Sequence, residues 1–257
     1  MENVEKLKAE YRMVLQERVK LEIERYKLLY SNEKFEMPEI LISHNFKEDV
    51  INTYKECHYP DTYIAMVERK CHWESTVALT IFEYNFNAPP KVIVNAFRWR
   101  DDTILHELTH VSDYYSYLQR HDYPDLNYID SLKRKEFIGV HLLSEFRAFY
   151  RGALLSKEDL KQRIIFETRE FEKNQERTIT DQNLEAYYYH SVKYVGYYCA
   201  YCQKYCTEDQ IREELNHEDI NIIHTLIKFL FPLRDKTFEE LENCFNDFQR
   251  LLDSMVS

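Results

Sequence analysis

The stretch ILHELTHVSDYY, residues 104–115, predicts the helix on which the rest of the fold depends. Asp101 and Asp102 precede it and offer an N-cap for that helix. Its aliphatic residues recur at the three- and four-residue spacing of a helix with one buried face: Ile104, Leu105, Leu108 and Val111. His106 and His110 are four residues apart, so their imidazoles project from one face and can bind a single metal ion.

Glu107 follows the first histidine directly and completes the spacing His-Glu-x-x-His. On a helix it lies about 100° round from His106, beside an ion held by the two histidines. Zinc lowers the pKa of a bound water towards about 7, and a carboxylate in this position can take the proton of that water. The spacing therefore predicts a zinc site with Glu107 as general base, against the alternative of two histidines on a solvated surface.

The composition excludes several classes of function. The chain has 45 Asp+Glu against 34 Lys+Arg, a net charge of −11, so we expect no nucleic-acid partner. With only three glycines, a glycine-rich nucleotide site is not expected either. No apolar run approaches the roughly 20 residues that span a bilayer, and the charged N-terminus lacks the features of a secretory signal. We therefore expect a cytoplasmic protein without a membrane segment.

The six cysteines predict reduced thiols, because the chain is long and carries no secretory signal. Cys199, Cys202 and Cys206 stand at helical spacing, which allows an iron–sulfur or zinc cluster but favours a buried helix stripe. The dipeptide Cys-His occurs twice, at Cys57–His58 and Cys71–His72, and four such residues can hold a structural zinc. Adjacent ligands are uncommon in regular structure, so this second site is not favoured.

The remaining patterns predict an α+β fold in one compact unit, residues 1–257. We expect a helix and a small twisted sheet over 1–100, a zinc-binding helix pair over 101–156 and a helical part over 157–257. The predicted helices span 2–31, 46–57, 103–119, 132–155, 157–174, 181–206, 219–231 and 237–255, and the predicted strands span 62–68, 76–86 and 91–97. A polar segment with Pro124, residues 120–131, predicts a loop.

HELTHVSDY, residues 106–114, resembles the active-site helix of the thermolysin-type zinc peptidases, the gluzincins. That helix has His-Glu-Leu-Thr-His followed by Asp-Tyr, and here one residue fewer separates His110 from Asp113 and Tyr114. The resemblance covers about residues 90–155. It implies a sheet packed on a zincin-type pair of active-site helices.

NAFRW, residues 95–99, is similar to the Asn-Ala-Phe-Trp edge strand on which those enzymes lay their substrate, with Arg98 inserted. The similarity implies that Asn95, Ala96 and Phe97 form a substrate strand. The short step from this strand to the helix resembles the small cytosolic ImmA/IrrE-type peptidases, which cleave regulatory proteins.

Peptidases of this group take a glutamate from the next long helix as third ligand, and Glu145 stands in such a helix. Its E-F-R-A resembles the family's Glu-x-x-Ala, although Phe149 follows where the families often have Asp or Asn. His141, one turn before Glu145, and Asp113, one turn beyond His110, are the alternatives. Asp113 is better placed to hold a histidine N–H than to reach the ion.

A hydrolytic site also needs a donor for the oxyanion that develops on the attacked carbonyl. The resemblance implies a His or Tyr from a later segment, and residues 185–198 offer His190 and Tyr187 to Tyr189. Tyrosines continue at helical spacing at 194, 198, 201 and 205, which favours an aromatic core stripe. His190 is therefore the candidate catalytic residue of this segment.

These residues predict a zinc-dependent hydrolase that acts on a peptide or protein. Zinc would bind His106, His110 and Glu145, and the peptide would lie along a sheet edge near 92–97 by β-augmentation. The alternative is a regulatory or structural zinc protein whose helical half binds a partner. A toxin-like peptidase is a third interpretation, without a delivery segment to support it. The sequence specifies no oligomeric state.

Overall fold

In the computed structural model the chain forms two units, Met1–Asp130 and Ser131–Ser257. The described residues are 2–33, 36–70, 72–83, 88–100, 102–120, 135–175, 184–210 and 222–254. Asp101, Cys71 and almost all of the predicted loop at 120–131 lie outside these ranges. The predicted α+β class is confirmed, with a small mixed sheet in the N-terminal half and a helical C-terminal half. The predicted boundaries near residues 100 and 156 stay a prediction.

The described part of the first unit combines helices with a three-stranded sheet. Its elements are α1 (Glu2–Leu29), β1 (Glu39–Ser43), α2 (Phe46–Glu56), α3 (Asp61–Lys70), β2 (Ala78–Ile81), β3 (Lys91–Asn95) and α4 (Thr103–Arg120). Strand β1 was not predicted, because five residues with only a short apolar run carry no decisive period.

Strand β3 is the centre of the sheet, in the order β1-β3-β2. It pairs parallel with β1 and antiparallel with β2, and its Val92, Ile93 and Val94 are all completely buried. A strand buried on both faces has a continuous run of β-branched residues, which is the pattern here. The expectation of a sheet edge at 92–97 is therefore wrong for the strand itself, since partners occupy both of its sides.

The predicted strand at 62–68 is wrong, because these residues form α3. Pro60 precedes the helix, and its carbonyl accepts hydrogen bonds from the amides of Tyr63 and Ile64 at 2.9 and 3.1 Å. Both side chains are buried in a core with residues of α2, β2 and β3. The run is apolar without alternation, and a proline before the first turn is compatible with a helix start.

Helix α4 begins and ends close to the prediction. The carbonyl of Asp102 accepts the first helical bond from the amide of His106 at 3.0 Å, so Asp102 stands at the N-terminal end as expected. The predicted apolar face is buried: Ile104, Leu105, Leu108 and Val111. Thr80 of β2 donates a hydrogen bond to Glu107 of α4, which links the helix to the sheet.

The described part of the second unit is helical. Its elements are α5 (Lys135–Leu155), α6 (Leu160–Gln175), α7 (Leu184–Tyr205), α8 (Ile222–Leu230), α9 (Phe238–Leu241) and α10 (Phe245–Ser254), with 3₁₀ turns at Phe231–Leu233 and Glu242–Cys244. The buried carboxylate of Glu167 on α6 pairs with Arg163 at 2.6 Å and with Lys193 of α7 at 2.9 Å. Across the described residues, no helix is both long enough and apolar enough to cross a membrane.

The tyrosine stripe on α7 corrects one expectation. Tyr205 is 40% exposed, and the tyrosines at 194, 198 and 201 are half-buried, so this stripe lies at the surface. Its rings pack on one another instead, with centroids 6.1 Å apart for Tyr194 and Tyr198 and 5.3 Å apart for Tyr201 and Tyr205. The core face of α7 combines small residues such as Val195, Cys199 and Cys202 with tyrosines outside the predicted stripe, among them Tyr197. Tyrosine fits a surface line because its hydroxyl stays in water.

His58, which follows α2, has a φ of 62°, in the left-handed region that favours glycine. We expect His58→Gly to raise the free energy of unfolding by about 0.5–1 kcal/mol, because glycine takes this conformation without the clash of a β-carbon. His58→Ala keeps the β-carbon and is expected to bring no gain. Urea unfolding of the three proteins measures the difference, and equal stability of the two variants would contradict a backbone origin.

Candidate metal centre

Two imidazoles meet on α4. The Nε2 atoms of His106 and His110 are 3.1 Å apart, and the rings stand edge to face with centroids 4.7 Å apart. His110 is 7% exposed and stacks on Tyr114, one turn further along the helix. The spacing of four residues produces this convergence, because it places both rings on one face of the helix.

Glu145 of α5 joins the two histidines. One ligand atom from each of the three residues lies within 4.8 Å of the others, and among the described residues this is the only group of histidine, cysteine and acidic side chains that could hold an ion. Glu145 is 8% exposed. The structure thus brings together the three side chains expected to be ligands.

The two alternative ligands lie outside this group of three. The Nε2 atom of His141 is 3.8 Å from the Glu145 carboxylate, one turn earlier on the same helix. Desolvation lowers the pKa of His141 to about 4, which favours the neutral imidazole near pH 7. Asp113 is completely buried on α4. The proposed supporting roles of His141 and Asp113 stay predictions.

Glu107, the expected base, is 7% exposed and directly follows His106 on α4. Its burial raises the pKa of the carboxyl group to about 7, and the hydrogen bond from Thr80 opposes that rise. A cation bound next to Glu107 would lower this pKa again, because it favours the charged carboxylate. Burial and a bound cation would thus shift the pKa of Glu107 in opposite directions.

Thr80 is a residue of the site that the sequence did not reveal. Its hydroxyl donates to Oε2 of Glu107 at 2.5 Å. A hydroxyl that holds one carboxylate oxygen fixes the orientation of the other. The only signal in the sequence is that Thr80 lies in a predicted strand, which does not specify the residue it faces.

The expected substrate strand does not offer a free backbone. The amide of Asn95 donates to the carbonyl of Val77, and the amide of Ala96 donates to the carbonyl of Ser43, each at 2.8 Å. Phe97 follows the strand, is 70% exposed and stands edge to face with His44. The backbone amides of Asn95 and Ala96 are therefore already bonded to the segments on either side of β3. Their predicted position at a free sheet edge is wrong.

The candidate oxyanion donors lie on α7. Tyr188 is buried and its hydroxyl donates to the carbonyl of Leu252 at 2.8 Å, while desolvation raises its pKa to about 12. Tyr187 is also buried. His190 is half-buried and stands edge to face with Tyr189, with centroids 5.5 Å apart. The role of His190 as oxyanion donor stays a prediction.

The cysteines of the described residues are free thiols. Cys199 and Cys202 are buried on α7 and Cys206 is half-buried at its end, as expected for a helix stripe. Neither these three nor Cys57 with His58 belongs to a metal-binding group within the ranges that the structure describes. Cys71 lies outside the described residues.

The donor set fits a zinc ion in number and kind. Two imidazoles and one glutamate are the three protein ligands of one class of catalytic zinc site. Two nitrogens bound to one tetrahedral zinc lie about 3.3 Å apart, close to the 3.1 Å between the histidine Nε2 atoms. The same donors also suit other divalent ions of the first transition row.

No protein-family model matches the chain, and no curated protein or solved structure matches it either. A functional assignment therefore depends on the chemistry of these side chains.

Proposed function

We propose that this protein is a zinc-dependent hydrolase of the peptidase class, with a site similar to that of the gluzincins. One observation carries the proposal: the ligand atoms of His106, His110 and Glu145 lie within 4.8 Å of one another. Glu107, a buried carboxyl group with a pKa of about 7, is adjacent in sequence to the first of them.

His106, His110 and Glu145 would hold a divalent ion, and that ion would supply Lewis-acid chemistry to the substrate carbonyl and to water near pH 7. Glu107 accepts a proton from the attacking water and passes it to the leaving amine. Burial favours the neutral form of Glu107 and a bound cation would favour its charged form, so the group could take up the proton and release it again.

Thr80 positions Glu107. Its hydroxyl donates a hydrogen bond to Oε2 of the carboxylate, which leaves Oε1 to accept the proton of the attacking water. Restricting the carboxylate to one orientation keeps the base aligned with the attacking water, and alignment of reacting groups contributes strongly to rate.

The substrate is proposed to lie along β2. This strand pairs with β3 on one side only, within the described sheet, and its Thr80 contacts the base. An extended peptide that added to this edge would receive main-chain hydrogen bonds and would run next to Glu107. We therefore propose β2, instead of residues 92–97, as the strand to which the substrate peptide adds.

The number of ligands supports a catalytic over a structural site. A structural zinc is normally closed by four protein ligands, whereas a catalytic zinc keeps one position for water or substrate. The described residues bring three ligands together. A fourth protein ligand in the zinc-loaded protein would favour the alternative proposal, a regulatory or structural zinc protein.

Metal analysis tests the proposed ligand set. Wild type dialysed against zinc is expected to bind about one equivalent, and His106→Ala and Glu145→Ala are each expected to lower the affinity by at least about 100-fold, since removing supporting groups alone costs 10- to 100-fold. His44→Ala removes a histidine outside the group of three ligands and serves as control. Equal zinc content in all four proteins would contradict the proposed ligand set and, with it, the proposed hydrolase function.

A further inference from the structure

Helix α1 carries a large part of the exposed apolar surface of the described residues. Thirteen large hydrophobic side chains are exposed among all the described residues. Seven of the thirteen lie on this 28-residue helix: Leu7, Tyr11, Met13, Val14, Leu21, Leu28 and Leu29. Leu21 is 68% exposed and Leu28 is 80% exposed. Apolar surface concentrated in this way marks an interaction site.

The described side chains in the first half of α1 form no buried face. Every described side chain from Lys6 to Val14 is exposed, and the residues that α1 buries begin at Leu15 and continue with Val19 and Tyr26. Helical stability in proteins comes mostly from packing, so a helix segment exposed on all sides is marginal in water. A partner that packed on this half of α1 would stabilise it as a helix.

Four of the exposed aliphatic residues form a line with a spacing of seven: Leu7, Val14, Leu21 and Leu28. Such a line drifts only about 20° per repeat around a straight helix, and over these residues it runs for about 31 Å. Two such lines stay in contact when two helices wrap around each other with a left-handed twist. The spacing therefore favours another helix as the occupant.

Opposite charges flank this line on its two sides. Glu10, Glu17 and Glu24 stand three positions after successive members of the line and form one column. Arg18 and Arg25 stand four positions after Val14 and Leu21 and form the other column. Positions i+3 and i+4 lie about 40–60° to either side of position i, so the columns border the line from opposite sides.

Exposed lysines of the same helix pair with glutamates of the first column. Glu17 pairs with Lys20 at 2.6 Å and Glu24 pairs with Lys27 at 3.0 Å. Surface pairs of this kind contribute little to stability, so they can be exchanged for pairs with a partner.

We propose that a second copy of this chain docks on the line through the same line of its own α1, with the two helices parallel about a twofold axis. An axis that runs along the helices places the glutamate column of each copy opposite the arginine column of the other, on both sides of the apolar seam. An antiparallel pair would place glutamate against glutamate and arginine against arginine, which is unfavourable. The charge pattern therefore selects the parallel pair.

Sedimentation velocity between about 1 and 100 µM tests the interface. Wild type is expected to form a dimer, and Leu21→Glu is expected to weaken it by at least about 100-fold, as for a buried residue at the centre of an interface. Met13→Glu is the matched control, because Met13 is 65% exposed on the same helix but lies off the line. A wild type that is monomeric throughout, or equal weakening by both variants, would overturn the proposal.

Charge exchange tests the pairing of the columns. Glu17→Arg alone places arginine opposite arginine and is expected to weaken the dimer. The double variant Glu17→Arg with Arg18→Glu exchanges the columns at this level and is expected to restore it. A double variant as weak as the single one would overturn the charge argument.

A cross-link tests the direction of the helices. In a parallel pair each Leu7 faces the same residue of the second copy, so Leu7→Cys is expected to form a disulfide-linked dimer under mild oxidation, beyond any formed by wild type. A dimer that persists without this cross-link would overturn the parallel arrangement. If the protein is monomeric and co-sediments with vesicles of phosphatidylglycerol, the proposal of a second copy is wrong and the partner of the line is a lipid surface. The altered side chains are exposed, so circular dichroism is expected to show an unchanged fold for each variant.

Discussion

Glu107→Gln is expected to keep bound zinc and to lower kcat by about 10²- to 10⁴-fold, the range that general acid–base catalysis contributes. Glutamine has nearly the shape of glutamate, but its amide does not take a proton from water. Its oxygen can still accept the hydrogen bond of the Thr80 hydroxyl, so the local structure is preserved. Zinc content and kcat measured on one preparation separate the loss of the base from the loss of the ion.

A peptide mixture from a digested proteome, followed by mass spectrometry, serves as substrate because it assumes no cleavage preference. Thr80→Val is the companion variant: it keeps the β-branched shape, removes the hydroxyl and is expected to lower kcat by about 10-fold, as for one hydrogen bond to a charged group. Thr80→Ser is expected to restore most of the rate. Full turnover by Glu107→Gln would contradict its role as base, and no cleavage by zinc-loaded wild type would favour the structural alternative.

Gly196→Ala is expected to lower the free energy of unfolding by about 1–2 kcal/mol. A β-carbon on Gly196 would lie 2.8 Å from Cβ of Phe149, 3.0 Å from the carbonyl oxygen of Phe146 and 3.1 Å from the amide nitrogen of Tyr150. Two of these atoms belong to the backbone of α5, so α5 and α7 must move apart. Overpacking of this kind costs about 1–3 kcal/mol, and the better helix propensity of alanine offsets about 1 kcal/mol of it.

Gly139→Ala is the matched control within α5. Its nearest contact would be Oε1 of Gln249 at 3.4 Å, which is ordinary van der Waals contact. Only the propensity effect remains, so this variant is expected to raise the free energy of unfolding by up to about 1 kcal/mol. Urea unfolding of both variants measures the sign of each change in the free energy of unfolding. A loss of stability in both, or in neither, would show that the close approach at Gly196 does not control the result.

Local spacing predicted the part of the site that lies on single helices. His106, Glu107 and His110 belong to one helical turn and the next, so their relative positions follow from the helix period alone. The choice of Glu145 came from the resemblance to zinc peptidases, and the structure brings its carboxylate to the two histidines. Sequence alone left His141 and Asp113 as alternatives, because no local rule specifies which residue of a second helix faces the first.

Contacts between elements that are distant in the chain could not be predicted from the sequence for the same reason. Thr80 and Glu107 are 27 positions apart, and their hydrogen bond depends on how β2 meets α4. The order β1-β3-β2 puts β3 in the middle, which no property of residues 91–97 specifies, since an edge strand and a central strand can both be apolar. Apolar residues 62–68 show the same limit, because a short run without alternation suits a helix as well as a strand.

By itself the sequence determined the α+β class, the position of α4 and the pair of histidines on one of its faces, since helix period, capping and hydrophobic spacing act between neighbours in the chain. Only the tertiary structure decided the central position of β3, the contact of Thr80 with the base and the membership of Glu145 in the ligand group. These depend on packing between distant segments, where a shift of one residue in a strand or a quarter turn of a helix replaces every contact while leaving the local pattern unchanged.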